Sequence, residues 1–551
     1  MSQAALDQAI AEVTRSVPRF ITESGAHYKY SYGTAGFRDV ADRLPSAMVR
    51  VGILAALESK SFGGKPVGVV ITASHNQGSD NGAKIMDCHG EMMAHSWEDF
   101  AGELANASEG EDVAKLVKEF AAKETIDLSS PSIVFVGRDT RKSSPMLRDC
   151  VVKGVLAMGG KVYDHGQVTT PQLHWIVRSY NQNPSLFEPL TGVDRNHLKH
   201  YNQNIADAVA ELLDGPVPTL TVDCANGIGA VAFKNLQPYI SKYVPTVTLN
   251  TAIENHAKLN NKVGAEHVQK TQQLPEGVNP DMDVLKKFAS IDGDADRVVY
   301  FYVDANKKFC LLDGDKIIAL VGTYLQKLIK EANLNLRIGV VQTAYANGAA
   351  TNYLQTVIGV PVACVPTGVK FLHHKATEYD IGIYFEANGH GTVLFSPESI
   401  SKISAVAADK KNPAAVKAAS RLLALTKLIN QAVGDAISDI MLIEVVLSSL
   451  NMDLEEWNKF YADLPSCQSK VKVKDRTVVV TTDAERRVSS PASLQASIDE
   501  AVKKFKCGRA FVRPSGTEDV IRTYAEAATE ADAKTLSDLV VKAVYEHAGG
   551  I

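Results

Sequence analysis

The sequence has no apolar run of the roughly 18 residues that a membrane-crossing helix needs, so no membrane span is expected. It has little net charge: 551 residues sum to −5. That balance argues against nucleic acid or an anionic membrane surface as a general partner. An anionic ligand would have to be met by a local cluster of Arg, Lys and backbone N–H groups. Cysteine is sparse, with seven residues, an odd number, and no Cys-x-x-Cys pair. This argues against a disulfide framework and points to reduced, mostly buried thiols in a cytoplasmic protein. The opening "MSQAALDQAIAEVTRSVPRF" lacks the apolar core of a secretory signal. It reads instead as an amphipathic helix with Ala5, Ile10 and Val13 on one side.

What is present suits a large folded protein. Hydrophobic residues make up 45% and charged residues 22%. At roughly 150 residues per domain, three or four domains are expected. Apolar runs of strand length recur: "VGVVI" (67–71), "SIVFVGRD" (132–139), "KVYDHG" (161–166), "TLTVDCANGIG" (219–229), "LRIGVVQT" (336–343), "VPVACVPTG" (360–368) and "IGIYFEANGHG" (381–391). Helical patterns such as "GDKIIALVGTYLQKLIKEA" (314–332) lie between them. This alternation predicts α/β domains with largely parallel sheets. Residues 414–450 predict Ala- and Leu-rich helices leading to a smaller α+β domain at the end of the chain. Three strands end in polar turns, "TASHNQGSDNG", "DGDADR" and "EANGHG". In α/β folds, ligand groups gather at the carboxyl ends of strands.

"DGDADR" sets Asp292, Asp294 and Asp296 at alternate positions. If the segment is extended, their side chains point the same way. Three carboxylates that close repel one another unless a cation lies among them. Oxygen ligands with open positions suit Mg²⁺. Gly293 eases the turn, and Arg297 adds an anion-binding group. No Glu follows at the twelfth position of an EF-hand loop. "RPSGTED" (513–519) offers the Ser515 and Thr517 hydroxyls, backbone N–H groups around Gly516, and the Arg513 guanidinium, with Arg522 nearby. Taken alone, it reads as an ordinary turn. "EANGHG" (386–391) sets Glu386, Asn388 and His390 at alternate positions, suited to a polyhydroxylated ligand, though a plain strand-end turn fits equally well. "GTAGFRD" (33–39) places Arg38 where an anion contact is possible, but alone it reads as a surface arginine. Ser74 stands beside His75, with Lys84 further along. No G-x-S-x-G surrounds it, and no P-loop pattern occurs in this turn, so neither a hydrolase elbow nor a P-loop is indicated. Together the turns supply a metal triad, a hydroxyl, a polyol-binding loop and a phosphate loop, the parts needed to move a phosphoryl group on a sugar phosphate.

The ordered set "TASHN", "DGDADR", "EANGHG" and "RPSGTED" resembles the α-D-phosphohexomutase superfamily over essentially the whole chain. With "YGTAGFR" and "GDAISDI" (434–440), it is most similar to the eukaryotic members that act on N-acetylglucosamine phosphates. Relatives acting on glucose phosphates usually carry a Glu-x-Ser-Gly loop where this chain has Asn388 and His390. The resemblance implies three related α/β domains and a C-terminal α+β domain around a central cleft. The boundaries expected are 1–185 (serine loop), 186–303 (metal loop), 304–450 (sugar loop) and 451–551 (phosphate loop). It implies interconversion of N-acetylglucosamine 6-phosphate and 1-phosphate through a phosphoserine and a bisphosphate, feeding UDP-N-acetylglucosamine synthesis. Ser74 matches the phosphoryl carrier. Asp292, Asp294 and Asp296 match the ligands of one Mg²⁺, which Ser74 also contacts. Glu386, Asn388 and His390 match the sugar loop, and Arg513, Ser515, Gly516 and Thr517 the loop for the non-reacting phosphate. Arg38 and Arg522 are further anion contacts, and His75, Lys84 and Arg297 candidates to handle protons or charge. The partner implied is a small amino-sugar phosphate, with the chain a monomer or weak dimer. One departure stands out: the family's Ser-His-Asn-Pro is here Ser-His-Asn-Gln, with Gly78 following. Proline stiffens a loop and glycine loosens one, so a looser serine loop is expected.

Overall fold

The computed structural model describes residues 2–33, 36–187, 196–409, 412–516 and 518–551. Two compact units emerge, one of residues 1–311 with 424–448, the other of 312–423 with 449–551.

The first unit holds two sheets. One contains β1 (Tyr32–Gly33), β2 (Gly36–Val40), β3 (Val67–Ile71), β4 (Asp80–Met86), β5 (Ile133–Arg138) and β6 (Lys161–Gln167), in the order β1-β2-β4-β3-β5-β6. Every residue of β3 is buried, as a continuous apolar strand covered on both faces should be. β3 runs parallel to β5, and β5 to β6, but β4 is antiparallel to both β3 and β2. The second sheet contains β7 (Leu220–Asp223), β8 (Thr246–Leu249), β9 (Lys287–Ile291), β10 (Val298–Val303) and β11 (Phe309–Leu312), ordered β11-β10-β9-β7-β8. Here β7 is parallel to β8 and β9, while β10 returns antiparallel to β9.

In the second unit, β12 (Ile338–Thr343), β13 (Val362–Val365), β14 (Ile381–Phe385) and β15 (Gly391–Phe395) form a sheet ordered β13-β12-β14-β15. β12 is parallel to β13 and β14, and β15 is antiparallel to β14. The last part of the chain contributes β16 (Ser466–Lys472), β17 (Val480–Thr482), β18 (Arg487–Ser490), β19 (Arg509–Pro514) and β20 (Val520–Glu526). β16, β20 and β19 form an antiparallel sheet, and β17 pairs with β18. Helices Ala492–Val502 and Glu530–His547 close its core through Leu494, Ile498, Leu536 and Val540 against Val471, Val512 and Ile521. This is the α+β ending read from the sequence.

The sheets are mixed rather than largely parallel, and the exceptions are informative. Each motif turn joins an antiparallel pair: β3–β4 the serine turn, β9–β10 the aspartate turn, β14–β15 the sugar turn and β19–β20 the phosphate turn. The returning strand β4, "DNGAKIM", is poor in β-branched and aromatic residues, so propensity did not mark it. The N-terminal helix forms over Gln3–Ser16, but its buried residues are Leu6, Ile10, Ala11 and Thr14. Ala5 is exposed and Val13 only packs at the margin, because the Leu6–Ile10–Thr14 spacing defines the inward face. Residues 414–450 hold two helices, Pro413–Leu428 and Ala436–Leu450.

Candidate active site

Ser74 follows β3 with φ of 49°, a left-handed conformation uncommon for a residue with a Cβ. It is 1% exposed. Its Oγ donates to Asp294 Oδ2 at 3.0 Å and accepts from Arg38 Nη2 at 3.2 Å. Asp294 Oδ2 also accepts from Lys84 Nζ at 2.8 Å and from the Thr170 hydroxyl at 2.6 Å. Lys84 Nζ reaches Asp296 Oδ2 at 2.7 Å. Sheet register explains the grouping. Arg38 lies opposite Gly82 on the neighbouring strand, and Lys84 is two residues along, on the same face. Arg38 is therefore half-buried in the site rather than a surface arginine.

The aspartates converge, but not by strand alternation. Residues 292–297 form a turn, with Ala295 at φ 60°. Asp292 Oδ1 accepts the N–H groups of Asp296 at 3.1 Å and Arg297 at 3.2 Å, so the chain wraps around its first carboxylate. Carboxylate oxygens of Asp292, Asp294 and Asp296 lie within 4.8 Å of one another. Gly293 does not supply a positive φ. It is required by close approach, since a Cβ there would lie 2.5 Å from the Ser74 carbonyl. Asp292 Oδ2 and Asp294 Oδ1 are buried without hydrogen-bond partners. A divalent cation with hard oxygen preference fits this donor set. Burial and the other two aspartates push Asp292 well above its ordinary range. For Asp294 burial acts in the same direction, but Lys84 and Thr170 outweigh it and the carboxyl is lowered. Burial opposes the charge on Lys84, yet Asp294 and Asp296 prevail and raise it.

Arg297 donates to Glu266 at 3.0 Å and lies 3.9 Å from Asp292 and 3.8 Å from Asp296. His75 Nε2 is 4.0 Å from Glu266. Burial, then Arg297 and Arg38, drive the imidazole down to about 2, so it is neutral and this approach is not an ion pair.

The serine loop is not loose. Arg141, 1% exposed and paired with Asp139 at 2.9 Å, donates to the carbonyls of Ser74 at 3.0 Å, Asn76 at 2.8 Å and Asp80 at 3.0 Å, and also to that of Gln77. Asn260 donates to the carbonyls of Ser74 at 2.9 Å and Asn76 at 2.8 Å. Gly78 is an anchor as well, because a Cβ there would meet the His256 carbonyl at 2.0 Å. The expected loosening is replaced by an arginine and asparagine clamp.

In the second unit, Glu386, Asn388 and His390 share one turn. Asn388 Nδ2 donates to Glu386 at 3.3 Å, and Asn388 Oδ1 accepts the His390 N–H at 2.9 Å. In the β19–β20 turn, Ser515 N–H donates to the Val520 carbonyl at 2.8 Å, and the Gly516 carbonyl accepts from Arg476 at 3.1 Å. Arg513 and Arg522 face each other across the strands, and the Arg522 Nε is buried without a hydrogen-bond partner. Two opposed guanidiniums are unfavourable without an anion between them. Thr517, also expected here, lies outside the described residues, as do Thr34 and Ala35 of the Arg38 motif.

Phosphoacetylglucosamine mutase AMG1, domain II, matches residues 201–299, and its domain III residues 313–452. Phosphoglucomutase/phosphomannomutase alpha/beta/alpha domain I matches residues 102–186, and the C-terminal domain residues 470–543. The phosphoacetylglucosamine mutase of Sus scrofa is 46% identical over 529 residues, covering 94% of each chain. The chain belongs to the phosphoacetylglucosamine mutase family. Aspergillus fumigatus N-acetylphosphoglucosamine mutase in complex with GlcNAc-6P and magnesium has a TM-score of 0.91 and 38% identity, covering 98% of this chain and 99% of that one. A serine-to-alanine variant of the same fungal enzyme with glucose 1,6-bisphosphate has a TM-score of 0.91 and 38% identity, covering 99% of both.

Within this family member, sequence reading missed Thr170, Arg141, Asn260 and Glu266. Only Thr170 had a local signal: "TTPQ" is a capping box with Pro171 in the first turn, and it opens helix Thr170–Gln182 beside Asp294. Arg141 and Asn260 act 67 and 186 residues away from Ser74, where no spacing rule reaches.

Proposed function

We propose that the chain interconverts N-acetylglucosamine 6-phosphate and N-acetylglucosamine 1-phosphate through a phosphorylated Ser74 and a sugar bisphosphate, serving UDP-N-acetylglucosamine biosynthesis in the cytoplasm. The observation that carries this reading is the buried Ser74 hydroxyl 3.0 Å from Asp294, inside a set of three convergent carboxylates countered by Lys84. The fungal relative solved with GlcNAc-6P and magnesium supports the substrate and the ion, and the bisphosphate complex supports the intermediate. All seven cysteines are free, which suits a reducing compartment.

In the first transfer, the bond from phosphorus to Ser74 Oγ breaks as one to the sugar oxygen forms. The sugar hydroxyl gives up a proton and the departing Ser74 Oγ takes one up, so that serine is restored as the hydroxyl that donates to Asp294. The second transfer returns the other phosphoryl group to Ser74 Oγ. Asp292, Asp294 and Asp296, with Ser74, would hold one Mg²⁺, which when bound would offset negative charge on the phosphoryl oxygens. Lys84 and Arg38 place positive charge against the same oxygens from the protein side, fixed before the reaction starts. Lys84, opposed by burial but raised by Asp294 and Asp296, stays charged and acts on the phosphoryl oxygens through that charge. An imidazole held down to about 2 is a weak base, and His75 serves by its position in the loop.

The second unit supplies recognition. Glu386, Asn388 and His390 hold sugar hydroxyls. Arg513, Ser515, Gly516 and Thr517, with Arg522, hold the phosphate that is not reacting. Fixing that phosphate positions the other end, which matters most where the protein does little covalent chemistry. Comparing turnover of N-acetylglucosamine 6-phosphate with glucose 6-phosphate tests the substrate. A clear preference for the acetylated sugar is expected, and equal or reversed turnover overturns the assignment.

A further inference from the structure

The phosphate-binding arginine already has an anion beside it. Arg513 Nη1 donates to Glu485 Oε1 at 3.4 Å, and its Nε to the Tyr345 hydroxyl at 3.3 Å. The guanidinium lies 5.8 Å from the centre of the Tyr345 ring. Glu485 is tied down from its other oxygen, which accepts the Thr367 N–H at 2.9 Å and also the Thr367 hydroxyl. It sits in the turn between β17 and β18, where Asp483, Ala484 and Glu485 successively take φ of 52°, 54° and 66°. Three consecutive residues with side chains in the left-handed region are strained, and strain of this kind collects at functional positions. Here it places a carboxylate against Arg513.

We propose that Glu485 is a resident competitor for the substrate's non-reacting phosphate and sets the affinity of that loop. The inference rests on the reading of Arg513 as a phosphate ligand. A bidentate clamp needs two N–H groups on one edge of the guanidinium. Both available edges are already partly used, one by Glu485 and the other by Tyr345. The Arg513–Glu485 contact is longer than the roughly 2.7–2.9 Å of strong charge-assisted bonds, whereas Thr367 holds Glu485 more closely. Phosphate therefore displaces Glu485 from Arg513 while the carboxylate stays on Thr367. The competitor has a use in this reaction. A bisphosphate intermediate must leave the loop and present its other phosphate to it, and a loop that bound phosphate too tightly would hold intermediate and product. Glu485 also keeps Arg513 oriented and neutralised between turnovers.

The test measures KM for N-acetylglucosamine 6-phosphate and inhibition by inorganic phosphate in Glu485→Gln and Glu485→Gly. The first keeps the side chain's shape without its charge, and the second also relieves the left-handed backbone. In both, KM and the phosphate Ki are expected to fall together by about fivefold or more, the scale of a modest coupling between sites, with no rise in kcat. In an Arg513→Ala background, Glu485→Gln should have no further effect. Unchanged or raised KM and Ki in both variants would show that Glu485 only orients Arg513, and would overturn the proposal. An Arg513→Ala enzyme with unaltered KM would instead remove the phosphate-loop reading beneath it.

Discussion

Ser74 shows how much one residue can be constrained by its surroundings. Its left-handed backbone, its buried hydroxyl and its bond to Asp294 leave it one orientation. Lys84 is the residue on which the local charge balance turns, since it bridges Asp294 and Asp296 directly. Replacing it by Met should leave buried carboxylates without their cation. A loss of about 3–5 kcal/mol is expected by urea unfolding in the absence of Mg²⁺. Turnover should fall on the order of 10²-fold, as when a preorganised charge is removed from a transition state. Wild-type stability in that variant would show that Lys84 is not what compensates the aspartates. At this scale the chemistry-bearing types were legible: Asp292, Asp294, Asp296 and Ser74 stand out in the sequence. What was not legible is which neutral or basic neighbours complete them, because Thr170, Arg141 and Asn260 arrive from distant segments.

The functional element is the hairpin turn. Four turns carry the four motifs, and each is fixed at both ends by paired strands. β9, "KFASI", did not stand out in the sequence, whereas the strands entering the serine and sugar turns were readable as apolar runs. The return strand β4 was not, since its Asn, Gly and Lys residues are placed by register and by the site rather than by propensity. The comparison with proline at position 77 misled for a related reason. Rigidity here comes from outside the loop, through Arg141 and Asn260, and not from the loop's own φ preferences. Replacing Arg141 by Ala should strand buried Asp139 and remove a donor from four loop carbonyls, of which those of Ser74 and Asn76 keep Asn260. The expected cost is about 3–5 kcal/mol, with faster amide exchange over residues 74–80. Replacing Gly78 by Ala should cost about 1–3 kcal/mol, because the new Cβ overlaps a backbone oxygen that cannot swing away. Exchange unaltered in the Arg141 variant would locate the loop's rigidity elsewhere.

For the molecule as a whole, stability and metal binding should be linked through the buried carboxylates. Burial and its neighbours make Asp292 bind its proton more tightly folded than unfolded. Its contribution to stability is therefore full below the ordinary carboxylate value of about 3.9. It is lost as pH rises through the raised folded value. Metal-free protein should melt at progressively lower temperature as pH climbs above that range. Mg²⁺ competes with the proton for the same oxygens, so it should raise Tm more near neutral pH than in mild acid. A Mg²⁺ shift that does not change with pH would contradict this account of the triad. The α/β and α+β parts of the chain were legible from alternating strand and helix patterns. The grouping of residues 424–448 with the first unit was not, because an apolar helix does not announce which core it joins.

The central claim is that Ser74 carries a phosphoryl group between the two positions of an N-acetylglucosamine phosphate. Phosphorus NMR tests it directly, with N-acetylglucosamine 6-phosphate, Mg²⁺ and a trace of sugar bisphosphate added to the protein and to its Ser74→Ala variant. The prediction is a growing 1-phosphate resonance with the protein and none above background with the variant, although the variant still binds the sugar phosphate. A 1-phosphate signal from Ser74→Ala, or none from the protein itself, would contradict it.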